Sequence, residues 1–536
     1  MTTCDAVVIG AGFSGLRMLI ELRGLGLSAT VIEAGSDVGG TWYWNRYPGA
    51  RTDSESWQYA YAFSRELQQD WDWTERYPAQ PEVLGYLRHV ADRFDLRRDI
   101  VLGTRVTSAR YDQDSGLWAL TTDNGRHYRC RYLIGATGVL SAPFVPDLPG
   151  LEQFRGEWYL TANWPKERVD FAGKKVAVIG TGASGVQVIP IIAHTAETLT
   201  VFQRTANYVV PGRNYTLTEE QRQAIRADYD RIWARTRTHS FGFDMPPANR
   251  MFDEVSARDR RRFLERAWEE GGFYYVFASF DDVLINDDAN HAAAEFIREK
   301  IRTLVDDPTT AELLCPTGYP FLGKRPPVGH FYYETFNRPN VHLVDVHHDP
   351  LTAVTPDGLR TASGASFDAD VIVFATGFDA LTGSLSRIDI RGRDGISLRE
   401  KWADGGRTHL GIGVDGFPNL FMICGPQSPF ANIPVAAEET VVWVGRAIRH
   451  LRDHDQDTIE ATPDAVREWD QHINDLFHHT VLPQCPSSWW LGSNVPGKPP
   501  TVLFHFGGYG TYRKECLAAA DADYQGFTLS RVGSRS

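Results

Sequence analysis

Two stretches of the chain carry the same pattern of apolar and small residues. Residues 6–15 read AVVIGAGFSG and residues 176–185 read VAVIGTGASG, so each joins a short apolar run to a GxGxxG motif. An apolar helix-like stretch follows each motif, and then a second apolar run, at Ala29–Ile32 and at Leu199–Phe202. Short β-branched runs bounded by glycine turns indicate buried strands. Each unit is therefore predicted to form strand, glycine turn, helix and strand, the opening of a doubly wound α/β domain.

Further strands are predicted between and after these two units. Val101–Tyr111 and Leu117–Thr122 have strand-like composition and flank the turn-rich segment 112–116. The apolar runs that begin at Tyr132 and Val371 both lead into Ala-Thr-Gly. Each is predicted to be a strand that ends at this tripeptide.

The segment from about residue 216 to residue 314 is charged and has helical spacing. Glu219–Arg235 and Arg258–Glu270 are its clearest predicted helices, and the acidic pairs at 281–282 and 287–288 are predicted to lie in loops. The predicted fold class is α/β, with two Rossmann-like dinucleotide-binding domains and a helical insertion. The predicted boundaries are 1–150 plus 375–536 for the first domain, 151–215 plus 315–374 for the second, and 216–314 for the insertion.

Composition excludes several classes of protein. The chain has 536 residues with a formal net charge of -13 and a pI of about 5.7, so nucleic acid is not an expected partner. No run approaches the 18 apolar residues of a membrane span, and the N-terminus lacks the basic start of a signal peptide. A cytoplasmic protein without membrane attachment is expected. Oligomeric state stays open.

Cysteine and histidine spacing argues against a metal or disulfide chemistry. The six cysteines form no CxxC pair, which excludes a disulfide scaffold and disfavours a dithiol reductase. The histidine pairs at 347–348 and 478–479 lack the partner carboxylates or helical i, i+4 spacing of a metal site. No metal site is therefore predicted.

The residue after the second strand distinguishes the two dinucleotide units. Glu33 offers a carboxylate that accepts hydrogen bonds from a ribose 2′-hydroxyl and repels a 2′-phosphate. The second unit has no acid at this point, and Arg204, followed by Thr205, can pair with a 2′-phosphate. The sequence predicts FAD in the first unit and NADPH in the second, hence a flavin enzyme. The glycine-loop residues predicted to bind these cofactors are Gly10, Gly12, Ser14, Gly15, Gly180, Thr181, Gly182, Ser184 and Gly185.

Two longer motifs carry a resemblance to a known family. Residues 39–53, GGTWYWNRYPGARTD, resemble the [AG]GxWxxxx[FY]P[GM]xxxD fingerprint of type I Baeyer–Villiger monooxygenases, with every fixed position filled. Residues 154–165, FRGEWYLTANWP, are similar to the family's FxGxxxHxxxWP, except that Leu160 replaces the histidine. The resemblance runs from about residue 5 to about residue 515.

The resemblance implies a two-stage reaction on a ketone. NADPH reduces FAD, O2 adds at flavin C4a, and the peroxyflavin attacks a cyclic or bulky ketone to give an ester or lactone. Arg325 matches the arginine that stabilises the peroxyflavin and the adduct, and Asp53 matches the aspartate that pairs with it. A permanent cation where negative charge develops is typically a large catalytic contribution.

The resemblance also implies further contacts. Lys324 would join Arg204 and Thr205 at the NADP 2′-phosphate, and Trp489 would contact the nicotinamide nucleotide. The positions that match FAD-lining residues are Thr41, Trp42, Trp44 and Tyr59, Val106 is included in the predicted cofactor-binding set, and the candidate substrate-wall residues are Phe430, Ile433 and Pro434.

Leu160 leaves alternatives open, because leucine neither forms hydrogen bonds nor changes charge. The family histidine lies on the linker between the FAD and NADP domains. In one hypothesis the linker repacks around Leu160 and ketone oxygenation survives. In the other, NADP positioning changes, and the enzyme mainly oxygenates sulfur or nitrogen or leaks H2O2 as an uncoupled NADPH oxidase. The sequence does not identify the ketone.

Overall fold

The computed structural model describes residues 1–532 and contains two separate five-stranded parallel sheets. The strands of the first sheet are the apolar runs from both ends of the chain. Parallel strands are buried on both faces, which is why these runs are largely apolar. Its central strand, Ala6–Ile9, is buried throughout. The order across this sheet is Leu420–Met422, Tyr132–Gly135, Ala6–Ile9, Ala29–Ile32 and Ile100–Val101.

The second sheet repeats this arrangement around the second glycine motif. Its central strand, Lys175–Ile179, pairs in parallel with Thr198–Gln203 on one side and Val371–Phe374 on the other. Val341–Asp345 and Glu157–Leu160 form the two edges. The predicted α/β class with two Rossmann-like units is therefore confirmed.

Smaller sheets surround these two. Val106–Asp112, Leu117–Thr122 and His127–Cys130 run antiparallel, with Thr2–Thr3 and Asp389–Arg391 added in parallel at the edges. The remaining strands are Val210–Pro211 with Val328–Gly329, Leu351–Thr355 with Gly358–Thr361 and Ser366–Asp368, Ser428–Pro429 with Phe504–His505, and Thr458–Ala461 with Phe527–Ser530.

One predicted strand, Val101–Tyr111, is wrong as a single element. Ile100–Val101 belongs to the first parallel sheet, whereas Val106–Asp112 belongs to the antiparallel one. Gly103 separates the two strands in a left-handed conformation, with φ of 60°. Glycine adopts this conformation without strain, so the chain changes sheet at this point.

The region 216–314 contains helices, as its spacing predicts. They are Glu219–Thr238, Ala257–Glu270, Tyr274–Phe277, Asp287–Leu304 and Pro308–Leu314. The prediction of a loop at Asp287-Asp288 is wrong, because both residues lie in the first turn of the helix that Asn286 caps. Carboxylates are favourable there because they face the positive end of the helix dipole.

The other helices pack around the two parallel sheets. The long helix Ile433–Asp453 lies against Phe13–Gly24, beside the first sheet. None of the helices within residues 1–532 has the length and apolar character to cross a membrane. The remaining helices are Thr41–Trp44, Arg65–Asp70, Gln80–Arg93, Ala183–Ala193, Tyr332–Thr335, Thr382–Ser386, Leu398–Lys401, Pro463–His478 and Tyr509–Asp521.

Candidate active site

A cavity of about 510 Å³ gathers residues from distant parts of the chain. Its walls come from the segment 41–59, the start of the helix Ala183–Ala193, the helical region, and loops near residues 325, 430 and 489. The predicted site residues that line it are Thr41, Trp42, Asp53, Tyr59, Ser184, Arg325, Phe430, Ile433 and Trp489.

An ion pair between Arg325 and Asp53 lies in the cavity wall. The Arg325 Nη1 and Asp53 Oδ2 atoms are 2.5 Å apart. The Asp53 side chain is 8% exposed, whereas that of Arg325 is 25% exposed. The carboxylate is therefore enclosed, while the guanidinium keeps access to the cavity.

Gln187 holds the other oxygen of Asp53. Its Nε2 donates to Asp53 Oδ1 at 3.3 Å and to the Arg51 carbonyl at 3.1 Å, and its Oε1 accepts from the Tyr47 hydroxyl at 2.8 Å. Both oxygens of Asp53 thus have partners, one of them on the helix that follows the second glycine motif. Sequence reasoning missed Gln187, although a lone polar residue within the apolar run 186–193 was a usable signal.

Two tyrosines beside the ion pair are held in the neutral form. Burial raises the pKa of Tyr47 to about 12, an effect that Asp53 increases and Arg325 opposes. Burial also raises the pKa of Tyr59 to about 12. The Trp42 indole donates to the Tyr59 hydroxyl at 3.2 Å. These phenols consequently supply hydrogen bonds and bulk without charge near neutral pH.

The loop that carries Arg325 is fastened to the loop that carries Trp489. The Ser488 hydroxyl donates to the Gly323 carbonyl at 2.6 Å, and the Trp490 indole donates to the Leu322 carbonyl at 3.1 Å. The Trp489 and Trp490 ring centroids are 4.3 Å apart. These contacts couple the positions of Arg325 and Trp489.

The two glycine loops fit dinucleotides. The helices that begin after Gly12 and Gly182 have no side-chain cap, so the N–H groups of their first turns are available to a phosphate. A Cβ atom on Gly185 would lie 2.2 Å from the Gly180 carbonyl oxygen. The helix can therefore pack this closely against the loop only because residue 185 is glycine. At Gly182 a Cβ atom would meet no atom within 4 Å, which leaves an open face toward a ligand.

Glu33, the residue that distinguishes the first unit, is also placed to bind a dinucleotide. Glu33 is buried, and its two oxygens accept from the Ala11 and Gly35 amides at 2.7 and 2.6 Å. Burial raises the pKa of this carboxyl, while the two amides oppose that rise. Each carboxylate oxygen retains a lone pair for a ribose hydroxyl.

Two cations lie near each other at the second unit. Burial lowers the pKa of the Lys324 ammonium, and the like charge of Arg204 adds to this effect. Arg204 is exposed, and within residues 1–532 neither cation forms an ion pair with a carboxylate. Thr205 lies beside them, and its carbonyl accepts from the Thr181 hydroxyl at 3.0 Å. Adjacent, unpaired cations are suited to a phosphate group.

Some predicted residues lie away from the cavity. Trp44 packs edge-on against Tyr43, and its carbonyl accepts from the Trp164 amide at 3.3 Å, which joins the two long motifs. Val106 is 3% exposed at the start of its strand, and Pro434 is buried in the first turn of its helix. The predicted roles of these residues stay predictions.

The helical region contributes an aromatic wall that the sequence did not predict. The rings of Phe241 and Phe277 are stacked with centroids 4.5 Å apart, and Phe430 meets Phe241 edge-on. His239 accepts at Nδ1 from the amides of Phe241 and Phe243, and burial lowers its pKa to about 4. The cavity residues from this region are Arg235, Thr238, His239, Ser240, Phe241, Phe243, Met245, Pro247, Phe273, Val276, Phe277, Phe280, Asp281, Val283 and Leu284.

Leu160 lies at the end of the edge strand Glu157–Leu160 of the second sheet, not in a connecting linker. Its side chain is 8% exposed and belongs to an apolar cluster with Ile179, Phe202 and Phe374. The side chain therefore fills a packed core beside the second glycine loop.

Comparison with known proteins agrees with this arrangement. Residues 7–230 match the family described as pyridine nucleotide-disulphide oxidoreductase. A phenazine N-monooxygenase of Lysobacter antibioticus is 42% identical over 532 residues, covering 98% of this chain and 97% of the relative. A Baeyer–Villiger monooxygenase of Pseudooceanicola batsensis is 41% identical over 533 residues, covering 99% and 97%. The solved complex of OTEMO with FAD and NADP has a TM-score of 0.95 and 42% identity, over 98% of this chain and 99% of that chain.

Proposed function

The chain belongs to the Baeyer–Villiger monooxygenases of the class B flavoprotein type, and on that premise we propose that it inserts one oxygen atom of O2 beside the carbonyl of a cyclic or bulky ketone. The observation that carries the proposal is the Arg325–Asp53 ion pair in the wall of a cavity whose other walls are largely aromatic. The products are a lactone or an ester.

Arg325 is the residue that stabilises developing negative charge. An arginine guanidinium is a permanent cation with a planar set of N–H donors. Attack on a ketone carbonyl places negative charge on oxygen, and a fixed cation in a largely apolar cavity stabilises such charge more than water does. Asp53, held on its far side by Gln187, keeps the guanidinium oriented.

FAD and NADPH are the cofactors. When bound, FAD supplies the O2 activation and NADPH the reducing equivalents. Glu33 and the loop after Ala6–Ile9 hold the FAD ribose and pyrophosphate, whereas Arg204 and Lys324 hold the 2′-phosphate of NADPH. The aromatic walls exclude water, which strengthens the electrostatic contribution of Arg325.

We assign the other predicted residues accordingly. Trp489 contacts the nicotinamide nucleotide, and Phe430, Ile433 and Pro434 form the substrate wall. The residues assigned to the flavin site are Thr41, Trp42, Trp44, Tyr59 and Val106. We assign residues 1–150 and 375–536 to the FAD-binding domain, 151–215 and 315–374 to the NADP-binding domain, and 216–314 to the insertion.

The proposal is tested with the purified yellow protein, NADPH and air. Cyclic, linear and polycyclic ketones are supplied in parallel with one thioether, and organic products and H2O2 are quantified in the same tubes. We expect at least one ketone to gain one oxygen as an ester or lactone, in proportion to NADPH consumed.

Arg325→Ala tests the role of the cation. Loss of a charge that acts on the transition state should lower the rate of ester formation by roughly 10²–10³-fold or more, while the flavin absorbance of the protein is retained. The matched control is Arg110→Ala, which removes a surface arginine paired with Asp389 and should leave the rate unchanged. Ester formation by Arg325→Ala at the wild-type rate contradicts the proposed mechanism.

A second candidate is oxygenation of nitrogen or sulfur. It is favoured by the 42% identity to the phenazine N-monooxygenase of Lysobacter antibioticus, together with Leu160 in place of the motif histidine. Sulfoxide from the thioether without ester from any ketone supports this candidate. H2O2 as the main product supports an uncoupled oxidase.

A further inference from the structure

Three metal-ligating side chains meet outside the cavity. His472 lies on the helix Pro463–His478, His505 on the strand Phe504–His505, and Glu515 on the helix Tyr509–Asp521. His472 Nε2 is 3.1 Å from Glu515 Oε1, and His505 Nε2 is 3.0 Å from Glu515 Oε2. One ligand atom from each residue falls within 4.8 Å of the others.

The geometry points to a binding site for a divalent first-row transition metal, and we propose that His472, His505 and Glu515 bind one such ion, with Zn²⁺ or Co²⁺ as the test ions. Two imidazoles and one carboxylate are a donor set that suits Zn²⁺, Co²⁺ and Ni²⁺ and does not suit Mg²⁺ or Ca²⁺, which prefer oxygen ligands. Water molecules complete the coordination.

The ligand atoms lie near the spacing that a metal needs. Ligand atoms about 2.0–2.1 Å from a tetrahedral Zn²⁺ lie about 3.3 Å from each other. The two nitrogen–oxygen distances of 3.0 and 3.1 Å involve different oxygens of Glu515, and one ligand atom from each of the three residues lies within 4.8 Å of the others, so the ligand atoms have to move closer together around one ion. We expect rotation of the partly exposed His472 and Glu515 side chains to make this adjustment.

Burial differs among the three ligands in a way that allows a metal to enter. The His505 side chain is fully buried, whereas those of His472 and Glu515 are 41% and 29% exposed. The Trp469 ring is stacked on His505 with centroids 5.6 Å apart and fixes the plane of that imidazole. An ion thus reaches the site from the solvent side and finds one ligand already positioned.

The surroundings of the His505 ring limit the metal affinity that we expect. When Nε2 of a neutral histidine binds a metal, its proton moves to Nδ1. Nδ1 of His505 is buried without a hydrogen-bond partner. Since such a missing partner weakens metal affinity by roughly 10–100-fold, we expect a dissociation constant in the micromolar range.

The site is connected to the cavity through one short segment. Phe504 and Phe506 line the cavity, and His505 between them belongs to the cluster with His472 and Glu515. Metal binding to His505 therefore restrains the aromatic wall that these two phenylalanines form. The proposed metal site does not depend on the proposed function, and the two are tested by separate experiments.

The test uses the untagged, FAD-loaded protein after treatment with a chelator. Co²⁺ is titrated while its visible absorption is followed, and Zn²⁺ is titrated by calorimetry. We expect one ion per chain, a Co²⁺ spectrum typical of nitrogen and oxygen ligands, and a rise in Tm with metal. Glu515→Gln and His472→Ala should each weaken binding at least tenfold, and the exposure of His472 makes the second variant tolerable to the fold.

A second histidine pair provides the matched control. His450 and His454, one helical turn apart with ring centroids 4.0 Å from each other, could bind a metal adventitiously. His450→Ala should leave the affinity and stoichiometry unchanged. The proposal is overturned by the absence of binding below millimolar metal, by binding that His472→Ala and Glu515→Gln do not weaken, or by binding that His450→Ala removes.

Discussion

Asp53 receives hydrogen bonds from Arg325 and from Gln187, which lies on the helix after the second glycine motif, and its charge is its main contribution. Asp53→Asn keeps the size and the bond from Gln187 but removes the negative charge that holds Arg325. We expect ester formation to fall by roughly 10–100-fold, because a hydrogen bond to a charged group contributes about 1.5–3 kcal/mol. Steady-state rates at saturating ketone measure this loss. An unchanged kcat would mean that the orientation of Arg325 does not depend on Asp53.

Arg204 should determine the preference for NADPH over NADH. Arg204→Ala removes the exposed cation beside Lys324 without disturbing an ion pair in the described part of the chain. We expect the KM for NADPH to rise roughly 10–100-fold while the KM for NADH changes little, since NADH has no 2′-phosphate. Equal changes for both coenzymes would assign Arg204 to a different role.

The packing of Leu160 gives a prediction for the residue that departs from the family motif. Leu160→His places an imidazole among Ile179, Phe202 and Phe374, and an unpaired buried polar group costs about 1–3 kcal/mol. We expect a lower free energy of unfolding and an unchanged ratio of product to NADPH consumed. A higher ratio would show that the motif histidine tunes coupling, and would support the second hypothesis for this position.

At the scale of elements, two glycines of the second glycine loop have different roles, Gly185 in folding and Gly182 in coenzyme binding. A Cβ atom on Gly185 would lie 2.2 Å from the Gly180 carbonyl, whereas one on Gly182 would meet no atom within 4 Å. Gly185→Ala should therefore destabilise the whole unit. Gly182→Ala should leave Tm nearly unchanged and weaken NADPH binding. Measurement of Tm and of the KM for NADPH distinguishes these effects, and a loss of stability in Gly182→Ala would contradict this interpretation.

At the scale of the whole molecule, buried histidines limit stability in acid. Burial lowers the pKa of His239, His330 and His409 to about 4 each. These histidines take up protons near pH 6.5 in the unfolded chain but not in the folded protein. The free energy of unfolding therefore falls as the pH drops from about 6.5 toward 4, by up to roughly 3 kcal/mol per histidine. Buried carboxyls with raised pKa, such as Glu55 and Glu438, oppose this trend because the folded protein binds their protons first.

A variant separates the histidine contribution from that of the carboxyls. His330→Gln replaces one buried imidazole by a side chain that does not titrate. Urea unfolding at pH 7.5, 6 and 5 should give a shallower loss of stability with acid for His330→Gln than for the wild type. If the free energy of unfolding fell equally with acid in His330→Gln and the wild type, His330 would have the same pKa in the folded and unfolded protein.

Much of the architecture was predictable from local sequence. Strand, glycine turn and helix are specified by residues adjacent in the chain, so the two units and their central strands at Ala6–Ile9 and Lys175–Ile179 matched the structure closely. The long motifs carried the family resemblance for the same reason. The strand boundary at Gly103 was missed because one glycine with positive φ reassigns the flanking residues to different sheets.

What the sequence by itself determined is the fold class, the family and the identity of the two cofactors, since these depend on short, contiguous motifs. Only the tertiary structure decided which side chains meet. Gln187 and Asp53 are 134 residues apart in sequence, and the aromatic wall comes from a region whose charged, helical pattern gave no sign of a cavity. The His472–His505–Glu515 cluster likewise has no regular spacing. Side-chain contacts between distant segments depend on how whole elements pack, and no local pattern of residues records that packing.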